Sequence, residues 1–554
     1  MNLGATGNGT MLAGRDISIA AVVDEVKTHQ ENDPKSKSYD KIIHEDQTVV
    51  GATVAAGGNL VIKAGDAGAG GLAIAGSNIA GGGDVSLAAS GDVSITQVQE
   101  NHLSDVAFHR ESKSTFKKSR DTTADYSSVS NVIGSNVSGG SVSVKSGNDI
   151  VIGGSQLTAQ NALTLNAGRD LLVASAAQTG SENHTAEHKK SGFSLDITEG
   201  VGYTKSQDNK SGRSDTVTQV SSVLSGGSVS ASSGRDTAIS GSTVVGDQDV
   251  NIAAGRDLSI VSAENSVDSD SSSSSKKSGS IGTRFQAAIG TVKTTTDGTQ
   301  ESVTQVGSQI ASLGGNVNLS AGEKFTQTAS KVISPEGNIS IDAKDVLINA
   351  AIDSVKNTEQ ISYAKTAIGG TVKSGLINGL QGVQSMVSAA QGTGDARMRA
   401  LAAVNAAASA NDAANAAAAL SSGDLSGIKI SVSLGNTKRD SNVTQTQETA
   451  IGSTIAAGGS VTINATGGDR SSNLTAFGSE ISAGKDIALS ADNQVNLFAA
   501  TNTASQHSTN SSSGAAIGIG FAMGGSRMAS LWTSVLVPHA AMLMVRTSPT
   551  QTLM

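Results

Sequence analysis

Eight histidines, recurring Gly-Arg-Asp triplets and one glycine-bounded loop carry the residue types that could do chemistry in this chain, which has no cysteine. His184 and His188 are four apart with Glu187 between them, a spacing that on a helix could share a metal ion. The surrounding residues do not read as helix, and His102 and His109 likewise sit in polar sequence, so solvated surface is the better reading. Gly-Arg-Asp at 14–16, 168–170 and 255–257 could stack Asp170 and similar carboxylates in a row, but positions that recur with a repeat read as structural corners. The loop from Gly478 to Gly484 has one residue too many for a phosphate-binding loop, and Asp486 stands where a hydroxyl residue should follow Lys485. GGGDVSL at 81–87 touches the edge of a calcium-binding repeat without forming an array, and no Gly-x-Ser-x-Gly elbow joins a strand to a helix. No catalytic, cofactor-binding or metal-binding residue is assigned, no cofactor is expected, and the chain reads as a non-enzyme. A β-helical polysaccharide-active enzyme stays as an alternative, because that fold alone does not exclude catalysis.

Composition narrows the field further. Aromatic residues make up 2% of the chain and charged residues 16%. Its 65 glycines in 554 residues exceed the usual ~7%. A net charge of -9 leaves no basic surplus to displace counterions from a nucleic acid, so nucleic acid is not an expected partner. Without cysteine, disulfides, thiolate zinc sites and cysteine nucleophiles are excluded. The opening residues lack a basic and an apolar region, so no secretion signal is visible, and no apolar run approaches the ~20 residues of a membrane helix.

What must position any of these residues is a repeat. SGND at 146–149 recurs as SGRD at 233–236, AGRD at 167–170 recurs at 254–257, and KKSG at 189–192 recurs at 276–279, each 87 residues on. Inside it runs a shorter period, since Gly147 to Gly168 and Gly234 to Gly255 are both 21 apart. The coils share a Gly-Ser phrase, as in GSNIAGGGDV at 76–85, GSNVSGGSV at 134–142, GSQIASLGGNV at 307–317, GSTIAAGGSV beginning at 452 and GSEISAGKDI at 478–487. Between turns, pairs such as Val142/Val144, Leu163/Leu165, Val250/Ile252, Leu258/Ile260, Val461/Ile463 and Ile487/Leu489 alternate with polar residues, which puts each pair on one face of a short strand. Val142, Leu163, Val229 and Val250 are expected to point inward. The glycines are expected to supply positive φ at the corners, and neighbouring Asp or Asn to bond local amides.

Three strands per coil of about 20 residues, stacked in register, predict an all-β, right-handed parallel β-solenoid (β-helix) of about a dozen coils. Polar excursions at roughly 99–130, 176–220, 263–304, 353–375 and 436–449 interrupt it. Phe193, Ile197, Val201 and Tyr203 alternate as in a projecting hairpin, whereas the Ser271–Ser275 run suits hairpin or disorder equally. An Ala-rich stretch at 386–423 predicts one helix near 395–421, started by Asp395 and closed by Gly423. The expected organisation is a partial repeat module at 1–50, modules at 51–130, 131–219 and 220–306, a degenerate module at 307–385, the helical insertion at 386–423, a module at 424–526 and a non-repeat tail at 527–554.

AGRDLSI, GSTIAAGGSVTI, KKSGFSLD and the polar excursions between them resemble the haemagglutinin repeat region of filamentous-haemagglutinin-like exoproteins of two-partner secretion, including contact-dependent growth inhibition effectors, over roughly 1–526. The resemblance implies a secreted or cell-surface protein of a Gram-negative bacterium, an outer-membrane transporter as export partner, and a segment that helps carry a C-terminal toxin across a target outer membrane. A passive adhesin stalk is the alternative. The missing signal peptide, secretion domain and toxin motif predict an internal fragment that alone neither reaches the surface nor inhibits a neighbour, with open solenoid ends prone to end-to-end association. The tail from Arg527 to Met554 holds the lone Trp532 and four methionines. Read one base earlier, its start permits a phrase echoing Ser191–Asp196, which predicts a frameshift after Ser526.

Overall fold

Short aliphatic pairs separated by glycine corners fold, in the computed structural model, into a solenoid of eleven coils, each contributing one strand to each of three eleven-stranded parallel sheets. The structure describes residues 1–34, 36–65, 69–196, 200–280, 289–370, 428–523, 541–547 and 550–551. The fourth coil shows the plan, with strands Asn136–Gly139, Val142–Ser146 and Ile150–Gly153 and inward residues at every second position. Each inward residue meets its counterpart in the next coil: Val142 pairs Leu163, Leu163 pairs Val229, and Val229 pairs Val250, all at most 1% exposed, as the alternation predicts. Phe325 is the bulkiest fully buried side chain of an otherwise aliphatic interior. Ile487 and Leu489 share a face as expected, stacked on Val461 and Ile463, but in the eleventh coil, beyond which no coil stacks among the described residues, Ile487 is 48% exposed.

The corner glycines act in part as predicted. Positive φ occurs at Gly76, Gly154, Gly241 and Gly478 of the Gly-Ser corners, and Ala329 takes the same conformation at φ 44°. Gly134, Gly307 and Gly452, which begin the same phrase, are absent from that left-handed set. Gly147, Gly168, Gly234 and Gly255 are needed for room instead, since a Cβ on each would lie 2.0–2.3 Å from a backbone oxygen of the adjacent coil. Stacking at the ~4.8 Å strand spacing is what forbids a side chain there.

The corner Asp and Asn residues also reach further than expected. The backbone N–H of Asn59 donates to Asn8 Oδ1 at 2.8 Å, and the amides of Asn316, Asn338 and Ser460 donate in turn to Asp249, Asn316 and Asn338, so these side chains join coils rather than closing local turns. A third column is internal. Ser77, Ser135, Ser155, Ser222, Ser242, Ser308, Ser330 and Ser453, at equivalent corners, are all at most 3% exposed. The backbone N–H of Ser135 donates to Ser155 Oγ, and that of Ser155 to Ser222 Oγ.

The polar excursions form antiparallel hairpins. Hairpin 1 is Val22–Glu31 with Ser38–Val50, hairpin 2 Val98–Lys113 with Lys117–Ile133, hairpin 3 Ala176–Asp196 with Gly200–Val220, hairpin 4 Ala263–Ser280 with Ile289–Val306, and hairpin 5 Ala351–Gly370 with Ile428–Ile451. The last two excursions read from the sequence thus belong to one hairpin, and hairpin 1 is an addition to that set. The Ser271–Ser275 run is ordered strand, paired with Ser211, Gly212 and their neighbours on one side and Thr294–Gly298 on the other. Neighbouring hairpins pair with one another, and with Asn502–Met523, Ala541–Thr547 and Thr550–Gln551 they form one continuous thirteen-stranded sheet along the solenoid. The expected helix at 395–421 lies outside the described residues, among which the one helical turn is the 3-10 turn Asp469–Ser471. Residues 371–427, which contain it, separate the two strands of hairpin 5.

Candidate interaction surface

Each residue singled out for chemistry has a structural partner. In the Gly-Arg-Asp corners, Arg169 Nε donates to Asp149 Oδ1 at 2.7 Å, Arg235 Nε to Asp170 Oδ1 at 2.8 Å and Arg256 Nε to Asp236 Oδ1 at 2.7 Å, each guanidinium making a second bond to the same carboxylate. The facing arginines hold the Asp149 and Asp170 carboxyls below the usual range. The same carboxylates accept the amides of Asp170 and Asp236, so the row of acids is consumed in joining the coils. Asp16 does the same work at the first coil by accepting the amide of Gly71 at 2.8 Å.

His184 and His188 share one face of a strand rather than a helix. Four residues along a strand span about 13 Å, too far for two imidazoles to share an ion at the ~2.0–2.1 Å zinc–nitrogen distance. Each faces a carboxylate of hairpin 2 instead: His184 pairs with Asp125, and His188 Nδ1 lies 2.8 Å from Asp121. His102 lies 3.2 Å from Asp46 and 3.1 Å from Glu100 at the seam of hairpins 1 and 2, and Asp46 foremost raises its pKa. His109 Nδ1 is 2.9 Å from the Thr122 hydroxyl. Among the described residues, no group of three or more His, Asp or Glu is placed to hold a metal ion.

The Gly478–Gly484 loop presents no free nest of amides. Gly484 N donates to Ala457 O at 2.8 Å and Lys485 N to Gly459 O at 3.0 Å, so the loop is a stacked corner. GGGDVSL at 81–87 is a corner too: the amides of Gly82 and Gly83 donate to Ala56 O and Gly58 O.

The hairpin sheet is where surface is concentrated. Its strands are largely half-exposed along their length, with no second layer among the described residues to give an inside and an outside. Strong alternation is therefore absent, and the sheet is held by its backbone ladder and by cross-strand polar pairs. Lys41 meets Asp105 at 2.5 Å, Arg110 meets Asp40, and Arg120 meets Glu111. At its outer end, Phe193 and Tyr203 pack edge to face with centroids 5.3 Å apart while remaining 55% and 49% exposed. Side chains of Ile197 and Val201, read with them from the sequence, lie outside the described residues. Lys117, Lys190, Ser112, Ser119, Ser206 and Gly192 surround a hollow of about 430 Å³ beside this pair. Sequence reading missed this outer edge, whose signal is the recurring Lys-Lys pair at 117–118, 189–190 and 276–277.

Comparison with known proteins places the geometry in context. The hemagglutinin repeat matches at residues 30–115, 112–279, 289–437 and 433–534. The chain is 28% identical over 468 residues to a deoxyribonuclease CdiA of Dickeya dadantii, covering 81% of this chain and 14% of that protein. It is 31% identical over 446 residues to a 16S rRNA endonuclease CdiA of Enterobacter cloacae, covering 78% of this chain and 13% of that protein. A tRNA nuclease CdiA of Escherichia coli is 29% identical over 376 residues, 66% of this chain and 11% of that protein. The chain thus spans a small fraction of the length of these relatives, and what it matches is a repeat. No solved structure matches it.

Proposed function

Since the chain belongs to the hemagglutinin-repeat family and is a repeat region of the contact-dependent growth inhibition type, we propose that it is a non-enzymatic segment of a large cell-surface exoprotein, exported through an outer-membrane transporter, that assists delivery of a toxin across a target cell's outer membrane. The observation that carries this reading is the hairpin sheet. The solenoid interior is complete without it, so a spacer would have no use for five hairpins joined edge to edge along the solenoid. The strands of hairpins 2 to 5 are 16–24 residues long. That exceeds the roughly 9–11 residues with which a strand crosses a bilayer. The columns of Ser, Asn and Arg–Asp contacts that lock coil to coil favour the second reading, a rigid stalk.

The two readings separate in the full-length exoprotein. Replacing residues 176–220 by a short turn leaves Ala174 and Val223 to continue the solenoid. In the delivery reading the protein is still displayed on the surface, while inhibition of target cells is lost. Undiminished inhibition by a displayed, shortened protein identifies a stalk.

A further inference from the structure

Charge is distributed along the hairpins rather than across them. The inner halves of hairpins 2, 3 and 4, residues 98–108, 123–133, 176–186, 211–220, 263–272 and 297–306, hold ten Asp or Glu and one Arg. Their described outer residues, 109–122, 187–196, 200–210, 273–280 and 289–296, hold twelve Lys or Arg and five Asp or Glu, in a chain whose net charge is -9. Several outer acids are already engaged: Glu111 with Arg120 and Lys118, Glu187 with Lys189, and Asp121 with His188. Lys117, Lys190 and Lys277, by contrast, have no ion-pair partner among the described residues.

Register sets these three lysines on one face. Lys117 pairs Gly192, Ser119 pairs Lys190, Lys190 pairs Ser206, and Ser206 pairs Lys277, so cations and hydroxyls alternate across three hairpins. Gly192 lets the two hairpins approach closely at this hollow, because a Cβ there would lie 2.5 Å from Phe116 O. Phe193 borders it and packs on Tyr203, with Phe116 at 68% exposed in the neighbouring turn, and Ile289 at 72% lies at the outer end of hairpin 4. Ammonium groups and hydroxyls suit phosphate oxygens, and aromatic rings among lysines suit the boundary between headgroups and acyl chains.

We propose that the outer edge of hairpins 2 to 4 is a docking edge for a membrane surface rich in anionic phosphate headgroups, with Lys117, Lys190 and Lys277 as its principal cations. The inference rests on the delivery reading above and names the surface and lipid chemistry that reading leaves open. The acidic inner halves are repelled by the same headgroups, so the sheet meets the membrane edge-on and holds the solenoid away. A flat approach would bring both signs of charge to the lipid.

The test uses the whole chain and sedimentation with vesicles of phosphatidylcholine, with and without phosphatidylglycerol. Binding is expected to the mixed vesicles alone and to fall as salt rises. At about fivefold per lysine near a charged surface, the triple variant K117Q/K190Q/K277Q binds about 100-fold more weakly. The control D215N/E264Q, at the inner end, binds no more weakly than the parent. Equal binding by parent and triple variant, or binding to single-stranded DNA as tight as to mixed vesicles, overturns the proposal. So does displacement by inorganic phosphate far below the concentration at which chloride acts. Circular dichroism of the triple variant checks that its strands persist. Failure here combined with loss of inhibition on excising 176–220 removes this docking edge and leaves the delivery reading intact; headgroup binding with undiminished inhibition does the reverse.

Discussion

Replacing Ser222 by alanine should open the solenoid locally, and the size of the effect follows from its bonds. Ser222 is fully buried where hairpin 3 returns to the coils. Its Oγ accepts the backbone N–H of Ser155 at 3.3 Å and donates to Ala174 O at 2.6 Å. Ala174 O keeps a second donor, the Gly154 amide at 3.1 Å, but Ser155 N–H loses its partner in a place water does not reach. A buried donor left unpaired costs about 1–3 kcal/mol, so S222A should cost about 2 kcal/mol. Coils interact chiefly with their neighbours, so the loss should stay near the fifth and sixth coils, and one unfolding midpoint would dilute it. Native-state hydrogen exchange is therefore the assay. Opening easier by about 2 kcal/mol corresponds to exchange about 30-fold faster. That acceleration should appear at the amides of Gln156–Ala159 and Val223–Gly226, with those of Thr454–Ala457 unchanged. The exposed Ser143 provides the control, since S143A should move exchange by less than about twofold. Rates in S222A matching those in S143A would refute the idea that the serine column satisfies the backbone at these corners.

Three further outcomes follow from the same contacts. G168A places a Cβ 2.0 Å from Gly147 O, whereas the nearest contact of G153A is the Gln97 side chain at 3.1 Å. The first should destabilise the fourth and fifth coils by about 2 kcal/mol or more and the second should be milder, so comparable protease resistance of the two variants would contradict the steric account. Asp46 first, then Glu100, raise the folded-state pKa of His102 above its unfolded value near 6.5, so this group's stabilisation is full below that pH and fades as pH rises through the folded pKa. A rise from about pH 6 to 8 should loosen the seam of hairpins 1 and 2, and H102Q should lack that pH dependence by NMR or thermal melting. The Arg235 side chain is 49% exposed, so solvent screens its pair with Asp170. R235A should accordingly speed hydrogen exchange of Thr237–Ser240 by less than about fivefold, and an increase on the order of a thousandfold would show that the corner column acts as a unit.

The sequence disclosed the solenoid because its interior repeats. Val142, Leu163, Val229 and Val250 recur in phase with the corner glycines, and all four are buried. The hairpins were only half legible, and Ser271–Ser275 shows why. A strand solvated on both faces has no apolar phase, so its order depends on ladders to Ser211 and Thr294, residues about 20 to 60 positions away. Glycine carries a similar ambiguity. The letter is the same at Gly241, which needs a φ of 53°, and at Gly168, which needs space beneath the next coil, and only coordinates distinguish the two demands. The Gly-Ser phrase was visible but the role of its serine was not, because the partner of Ser155 is Ser222, on the far side of a hairpin. The cationic outer edge was hidden for the same reason. A net charge near neutral over hairpins 2 to 4 together becomes informative when the strand register separates their inner from their outer halves.

The 87-residue period itself has a geometric cause. Coils four and five run from Asn136 to Ala174, hairpin 3 follows, and coil six begins at Val223, so one period is two coils and one hairpin. Two coils advance the solenoid by about 9.6 Å, and the two strands of a hairpin advance their own sheet by the same distance, because both rises are the ~4.8 Å spacing of paired strands. Hairpins inserted after every second coil therefore arrive edge to edge without tilt or gap, as Thr204–Val217 does against Ser266–Gly279. A hairpin after every coil would crowd, and one after every third would leave unpaired edges. Hairpin 5 obeys the same rule although residues 371–427 part its strands in sequence, since Ala351–Gly370 still pairs Val432–Ile451 in unbroken register. The ladder between hairpins thus keeps the register of the solenoid beneath, whatever the number of residues between two strands of a hairpin.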